Sequence, residues 1–510
     1  MTRVIDTINQ IVWGIPALVL IIGVGLYLSV GTGWVQFRLF PQALKQLLGQ
    51  FRRKDDVSSR SGYRALCTAL AATVGTGNLA GVAGAIAIGG PGSIFWMWIC
   101  GILGMTTKFA EATLAIQYRC TDAGGSPIGG PMYMISRGMG AKWKPLAVIY
   151  CIFGLTAAFG VGSATQINAV IGGINSALQE LGVQHSRKLD LMMGAVFAVL
   201  ALLVLFGGAD RIGGFAERLI PFASMGYLIL CVGVLLIRFN AVPSAFLAIV
   251  KGAWNPKAVT GGILGSFFSA LRVGASRGVF TNEAGMGTAA IAHAGAQVDH
   301  PVQQGMMGIL EVFLDTIVIC TLTALVILCS GAPIPYGQDL GIVITADSFS
   351  VVYGPWVKIV IALFLCLFAF ATIIGWGMYG GRCAQFLFGL GAWRWFAVLL
   401  TLSIFMGAVV QTGTVWIISE TVNGLMSIPN LIMLLYLSPE LFRLTHTYRS
   451  DRGSETAFGG TYEDFNQCKP LRTVSYAEVP SPGGQSQGRG QKDIPPEYRS
   501  AGSPHSRDVL

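Results

Sequence analysis

Residues 71–81 read AATVGTGNLAG, and this short run sets Thr73, Gly75, Thr76, Gly77 and Asn78 in the middle of an otherwise apolar stretch. A glycine in a helix interior costs roughly 0.8–1 kcal/mol relative to alanine, so Gly75 and Gly77 together mark a place for the helix to unwind. Unwound backbone at membrane depth is tolerated only where it lines a protein cavity or water. Such a break exposes N–H groups on one half-helix, with about half a positive charge at its N-terminus, and carbonyls on the other. The N–H end suits a carboxylate and the carbonyl end a small hard cation. One stretch of chain can therefore hold both. Against this stands a packing role, because Gly77 and Gly81 also form a GxxxG pattern that lets helices approach closely.

A second glycine-rich stretch, GGILGSFFSALRVGASRGVFTNEAGMGTAAIAHAGA, carries Arg272, Arg277, Asn282 and Glu283. An ionisable group in mid-bilayer costs at least about 2.5–3.5 kcal/mol, which makes these four candidates for gating or structure ahead of direct ligand contact. Alternatively, Arg277 and Glu283 lie paired and wet near the cytoplasmic end. Phe159, Ser163, Gln166 and Asn168 interrupt another apolar run, and Gln166 is the candidate for reaching a bound solute, against an interhelical hydrogen bond. Lys108 and Glu111, three apart, share a helix face and can pair. Glu311, Asp315 and Glu420 stand alone in apolar segments and keep proton carriage open. The five histidines are dispersed, and the cysteines show no CxxC spacing; they offer neither a zinc site nor a catalytic triad. With no nucleophile and base in view, an enzyme is not expected.

The elements that must position these residues are membrane helices. Apolar residues make up 53% of the 510 positions and charged residues 12%, against about 25% charged in soluble domains. Each crossing needs roughly 20 apolar residues, and such stretches recur from residue 11 to residue 437, giving about 11 transmembrane helices. The formal charge of +9 is not a nucleic-acid footprint. Its richest segment, Arg38, Lys45, Arg52, Arg53, Lys54, Arg60 and Arg64, falls in one loop, which the positive-inside rule places in the cytoplasm. The N-terminus is then outside and the C-terminus cytoplasmic, in an inner membrane. The two breakable helices lie five spans apart, the pattern of a transporter built from inverted repeats. This gives an extra N-terminal helix and basic loop over 1–64, a first five-helix repeat over 65–237, a second over 238–437, and from Ser438 a polar tail, 438–510, too poor in apolar residues to fold. A channel is the weaker reading, since GTGN occurs once and forms no ring of filters.

The runs TVGTGNLAGVAGAIAIGGPGSIFWMW, KFAEATLAIQYR, GGPMYMI and RGVFTNEAGMGTAAIAHA resemble the alanine or glycine:cation symporter family across about residues 10–440. The resemblance implies an all-α polytopic membrane protein with a LeuT-type fold, two inverted five-helix repeats plus one extra N-terminal helix. It also implies uptake of alanine or glycine coupled to sodium, with no cofactor and with the lipid bilayer as surroundings; proton coupling is the alternative. It further implies that Thr76 and Gly77 offer N–H groups to the substrate carboxylate, with Thr73 and Asn78 lining the site. Sodium is implied at the carbonyls of Ala71, Val74 and Ala369 and the Thr372 hydroxyl. Ile373 stands where related sites place a second hydroxyl. Trp376, one turn beyond Thr372 on the same face, either caps a small pocket or sits at the membrane interface.

Overall fold

The computed structural model describes residues 12–52, 57–122, 125–184, 186–255, 260, 267–338, 340–409 and 412–451. All belong to one unit, Met1–Thr456. Among the described residues the regular structure is helical apart from a two-strand hairpin in which Cys120–Thr121 pairs with Pro127–Ile128.

After a first apolar helix α1 (Ile15–Gly31) and a surface helix α2 (Phe40–Arg52) comes α3 (Val57–Thr73), which breaks and resumes through a wide turn, Gly77–Gly81, into α4 (Val82–Gly89). There follow α5 (Gly92–Gln117), α6 (Lys144–Phe159), α7 (Thr165–Glu180), α8 (Arg187–Leu205), α9 (Gly208–Ile237) and α10 (Val242–Trp254). The second half holds α11 (Phe267–Asn282), the short α12 (Thr288–His293), α13 (Pro301–Val312), α14 (Thr321–Cys329), α15 (Ile342–Tyr353), α16 (Val357–Phe388), α17 (Ala392–Gly407) and α18 (Thr412–Asp451). Seven described spans are long and apolar enough to cross a bilayer, or eight with the pair Ser61–Thr73 and Gly77–Gly89, bent by 52°. Pro16–Gly31 and Ala392–Gly407 are apolar but shorter. The expected span 260–294 lies partly outside the described residues.

Leu, Ile, Val and Phe recur around most faces of these helices because lipid, not water, surrounds them. What distinguishes the interior is polarity: Lys108, Glu111, Asn78, Glu311, Asp315 and His293 are fully buried. Helix α16 packs against α3, α6, α7 and α9, while α5 packs against α11 and α13. The turn Gly77–Gly81 packs against α11, with Gly77 against Thr281.

The polar tail expected from Ser438 does not hold over 438–451. Helix α18 continues to Asp451 with Pro429 and Pro439 inside it, because Leu441 and Leu444 are buried in the main core. Those apolar contacts outweigh the polar composition. The rest of the expected tail, from residue 452, lies outside the described residues.

At the end of the unit that carries the basic loop, Ser61 Oγ donates to the Gln297 carbonyl at 3.2 Å and accepts the Gln297 N–H at 2.8 Å. The Gln304 amide nitrogen reaches the Gly62 carbonyl at 3.4 Å. The start of α3 is thereby tied to the segment after α12.

Candidate functional site

The last regular bond of α3 runs from the Val74 N–H to the Leu70 carbonyl, 2.8 Å. The next N–H, on Gly75, would in a continuous helix meet Ala71; it donates instead to Asn78 Oδ1 at 2.9 Å. The Ala71 carbonyl is released from the helical ladder by that exchange. The Asn78 amide nitrogen is held by Asp315 Oδ1 at 2.7 Å and by the Asp315 carbonyl at 3.2 Å. Asp315 Oδ2 in turn accepts the Thr316 hydroxyl at 2.8 Å. On the far side of the break, the Thr345 hydroxyl donates to the Leu79 carbonyl, 2.9 Å.

The side-chain oxygen of Asn78, expected to line the site, is thus engaged in shaping the break. The reason is local: an amide three residues beyond an unwound N–H can reach back to it, as the N3 side chain does in a capping box. Asp315 then fixes the amide from the other side. This carboxylate was visible in the sequence only as a lone acid, and its distance along the chain hid its partner.

Around Gly75 the side chains leave oxygen unspent. A Cβ there would stand 2.5 Å from Thr372 Oγ1 and 3.4 Å from Gln166 Oε1, so only glycine allows α16 and α7 this close. Thr372 Oγ1, Gln166 Oε1 and the neighbouring Thr76 Oγ1 are all buried without a hydrogen-bond partner. The Gln166 amide nitrogen is spent within its own helix, on the Val161 carbonyl at 3.0 Å, so its free oxygen points to the break and no interhelical bond explains it. Thr73 is buried and donates back to Ala69 at 3.3 Å. Ala71, Val74 and Ala369 are fully buried. The register of α16 against α3 is set by Gly375, whose Cβ would lie 2.9 Å from Ala72.

The packing alternative for GxxxG fails at one of its two glycines. A Cβ on Gly77 would come within 3.1 Å of Thr281 Oγ1, bringing the two interrupted helices together, whereas a Cβ on Gly81 would meet nothing within 4 Å.

Trp376 is no interfacial residue. It is wholly buried, backed by Gly162, and its indole N–H donates to Glu283 Oε1 at 2.8 Å. Glu283 Oε2 accepts the Thr288 hydroxyl at 2.6 Å, and Glu283 itself has φ 54°, left-handed backbone that strains any residue with a Cβ. Asn282 holds Thr316 Oγ1 at 3.1 Å and the Ala284 N–H at 3.0 Å. Glu283 is therefore neither wet nor paired with Arg277.

The expected Lys108–Glu111 pair does not form. Lys108 Nζ lies 3.0 Å from Glu311 Oε1, and His293 Nε2 lies 2.9 Å from Glu311 Oε2. Glu111 Oε1 collects the N–H groups of Gly285 and Gly287, each at 3.0 Å, and the Asn430 amide at 2.7 Å. Neighbours on one helix face lose to the cross-helix partners because the orphan N–H groups after α11 have nothing else to bond.

Arg277 pairs with Glu420 at 2.8 Å. Together with Arg272, Val273, Ser276, Trp13, Gly84 and Ile88 they line a cavity of about 180 Å³. Gly84 and Ile88 belong to the half of the broken span remote from the basic loop, so Arg277 does not lie at the basic-loop end where the alternative reading put it with Glu283.

Comparison with known proteins agrees with this architecture. Residues 1–458 match the sodium:alanine symporter family. The chain is 39% identical to the sodium/alanine symporter AgcS of Methanococcus maripaludis over 455 residues, 88% of this chain and 98% of that one. It is 33% identical to the probable sodium/glutamine symporter GlnT of Bacillus subtilis, covering 88% of this chain and 91% of the relative. The crystal structure of MhsT in complex with L-phenylalanine superposes with a TM-score of 0.51 at 15% identity, covering 75% of this chain and 97% of MhsT. That likeness gives the LeuT-type fold. On the family match and these relatives, the chain is a multi-pass membrane transporter and belongs to the sodium:alanine symporter family.

Proposed function

We propose that the protein imports a small neutral amino acid, alanine or glycine, together with sodium, by alternating access. The observation that carries this reading is the set of three buried, unpartnered oxygens on Thr76, Gln166 and Thr372 around Gly75. Leaving a buried polar atom unsatisfied costs about 1–3 kcal/mol, and three at one break are best understood as partners for a zwitterion and a cation.

In this reading the Thr76 and Gly77 N–H groups, at the start of the second half-helix, take the substrate carboxylate. Gln166 and Thr73 line the solute, and Trp376 closes a pocket too small for bulky side chains. Sodium sits at the carbonyls of Ala71, Val74 and Ala369 with the Thr372 hydroxyl. The diversion of the Gly75 N–H to Asn78 supports the Ala71 assignment, because that carbonyl is free to turn toward an ion. One sodium driven by a membrane potential contributes about 2.3 kcal/mol per 100 mV, and a tenfold gradient adds about 1.4, enough to concentrate solute several-hundred-fold. The inner membrane of a bacterium, an outer N-terminus and a cytoplasmic C-terminus complete the proposal, as does the division into repeats over 65–237 and 238–437.

Uptake of labelled alanine and glycine into proteoliposomes tests it, with sodium and potassium-diffusion potentials imposed separately. Uptake indifferent to both rejects the coupling. Asp315, buried with only neutral groups among its hydrogen-bond partners, favours one variant reading, proton coupling, and uptake driven by a pH gradient in sodium-free medium would select it.

A further inference from the structure

Arg211 and Arg218 stand two turns apart on one face of α9, separated by about 10 Å along its axis. The same stripe continues through Phe222, Met225 and Ile229, all largely exposed. On a membrane helix an exposed apolar stripe faces acyl chains. An open groove of about 540 Å³ follows its first part, lined by Arg211, Gly214, Phe215, Arg218, Leu219 and Phe222. No residue of the proposed transport site lines this groove.

We propose that the groove holds an anionic phospholipid, with its phosphate between Arg211 and Arg218 and an acyl chain along Phe222 and Met225. The acids of the same two turns, Asp210 and Glu217, are turned to Arg64 of α3, at 3.9 and 3.4 Å, and leave the basic stripe unopposed. Arg211 is held in place: its stem lies over Gly207, and its guanidinium donates to the Leu203 carbonyl at 2.9 Å. Arg218 is exposed and, among the described residues, has no hydrogen-bond or ion-pair partner. A bare guanidinium on a lipid-facing stripe is costly; it is relieved by snorkelling to water or by drawing an anion to itself. A groove with arginines at one end and exposed apolar side chains at the other favours the second course. Guanidinium and phosphate match through two parallel N–H bonds, and basic pockets on membrane helices take anionic headgroups.

The level suits a headgroup. Trp393, on α17, donates its indole N–H to the Leu205 carbonyl at 2.9 Å, two residues along from the carbonyl that Arg211 takes, and Trp395 is exposed. Tryptophans gather where membrane meets water, so Arg211 marks that boundary and Arg218 lies two turns inside it. On its other side α9 meets α3: Arg64 crosses Gly213, where a Cβ would stand 2.8 Å from the arginine Cδ. Lipid and Arg64 therefore brace the same two turns of α9 from different sides, and the occupant bears on the helix that breaks at Gly75.

The test uses the full protein, stripped of lipid in a neutral detergent, with native mass spectrometry to count bound lipid and a thermal melt to read its effect. Phosphatidylglycerol should bind and raise the melting temperature; phosphatidylcholine with the same chains should do so far less, and inorganic phosphate should not do so. Arg211→Gln combined with Arg218→Gln should raise the half-saturating phosphatidylglycerol concentration by about tenfold, whereas Arg238→Gln, at the other end of α9, should leave it unchanged. If the double variant fails to fold, Arg218→Gln alone is read, with a rise of about threefold expected. Equal affinity for the two lipids, saturation by inorganic phosphate alone, or an equal loss in Arg238→Gln overturns the site. So does a response that the glutamine variants leave unmoved, or a melting shift that follows the mass of a dimer and not that of bound lipid.

Discussion

The indole N–H of Trp376 and the carboxylate of Glu283 meet at 2.8 Å across 93 residues of sequence. Through this bond a wall of the proposed pocket is fastened to the strained corner where α11 ends. The pocket wall and the second interruption therefore move together or separate at a cost.

That cost is measurable. A hydrogen bond of this kind contributes about 0.5–1.5 kcal/mol net, so a double-mutant cycle of Trp376→Phe and Glu283→Ala should show coupling of that size in thermal stability. Trp376→Phe alone should also admit larger neutral amino acids in competition uptake. Coupling near zero would separate the two residues.

Thr372→Ala removes an unpartnered hydroxyl proposed to face sodium. The sodium concentration for half-maximal alanine uptake should rise about tenfold, equivalent to about 1.4 kcal/mol, while Thr372→Ser stays near the parent. An unchanged sodium requirement removes Thr372 from the ion site.

Gly75→Ala should abolish uptake without unfolding the protein. Its Cβ would stand 2.5 Å from Thr372 Oγ1, well inside contact distance, so the side chain fills the space that the free oxygens surround. The measurement pairs uptake with the monodispersity of the purified variant. Transport at more than about a tenth of the parent rate, about 1.4 kcal/mol, would contradict the placement.

Lys108→Ala leaves the buried Glu311 with His293 as its remaining partner, at 2.9 Å. Breaking a buried pair costs about 3–5 kcal/mol, so the variant should melt well below the parent. Lys108→Met with Glu311→Gln removes both charges and should recover much of the loss. Equal melting of single and double variants would mean the pair is not a unit.

The sequence made the helical breaks legible because glycine and small polar residues are rare in a lipid-facing helix and their cost is local. Gly75 and Thr76 were singled out by that reasoning, Gln166 as a polar interruption of another apolar run, and Thr372 by the resemblance. Cross-helix partners were not legible. Lys108 and Glu111 looked like a pair from spacing alone, yet each bonds elsewhere, since Glu311 and the Gly285 and Gly287 N–H groups arrive from helices far along the chain. The same blindness hid Asp315 behind Asn78 and the cavity beside Trp13. Composition also misjudged residues 438–451, where a few buried leucines keep a polar-looking stretch helical.

Ser61 and Gln297 are joined through a single hydroxyl that gives one hydrogen bond and receives another. Each neutral bond of this kind is worth about 0.5–1.5 kcal/mol net, so the clasp is a modest part of what holds the first broken helix, beside the Gln304 bond to the Gly62 carbonyl. Ser61→Ala loosens it without adding bulk, and a disulfide between cysteines at 61 and 297 would lock it. One side chain therefore tunes how firmly the arrangement seen here is held at this end of the bundle.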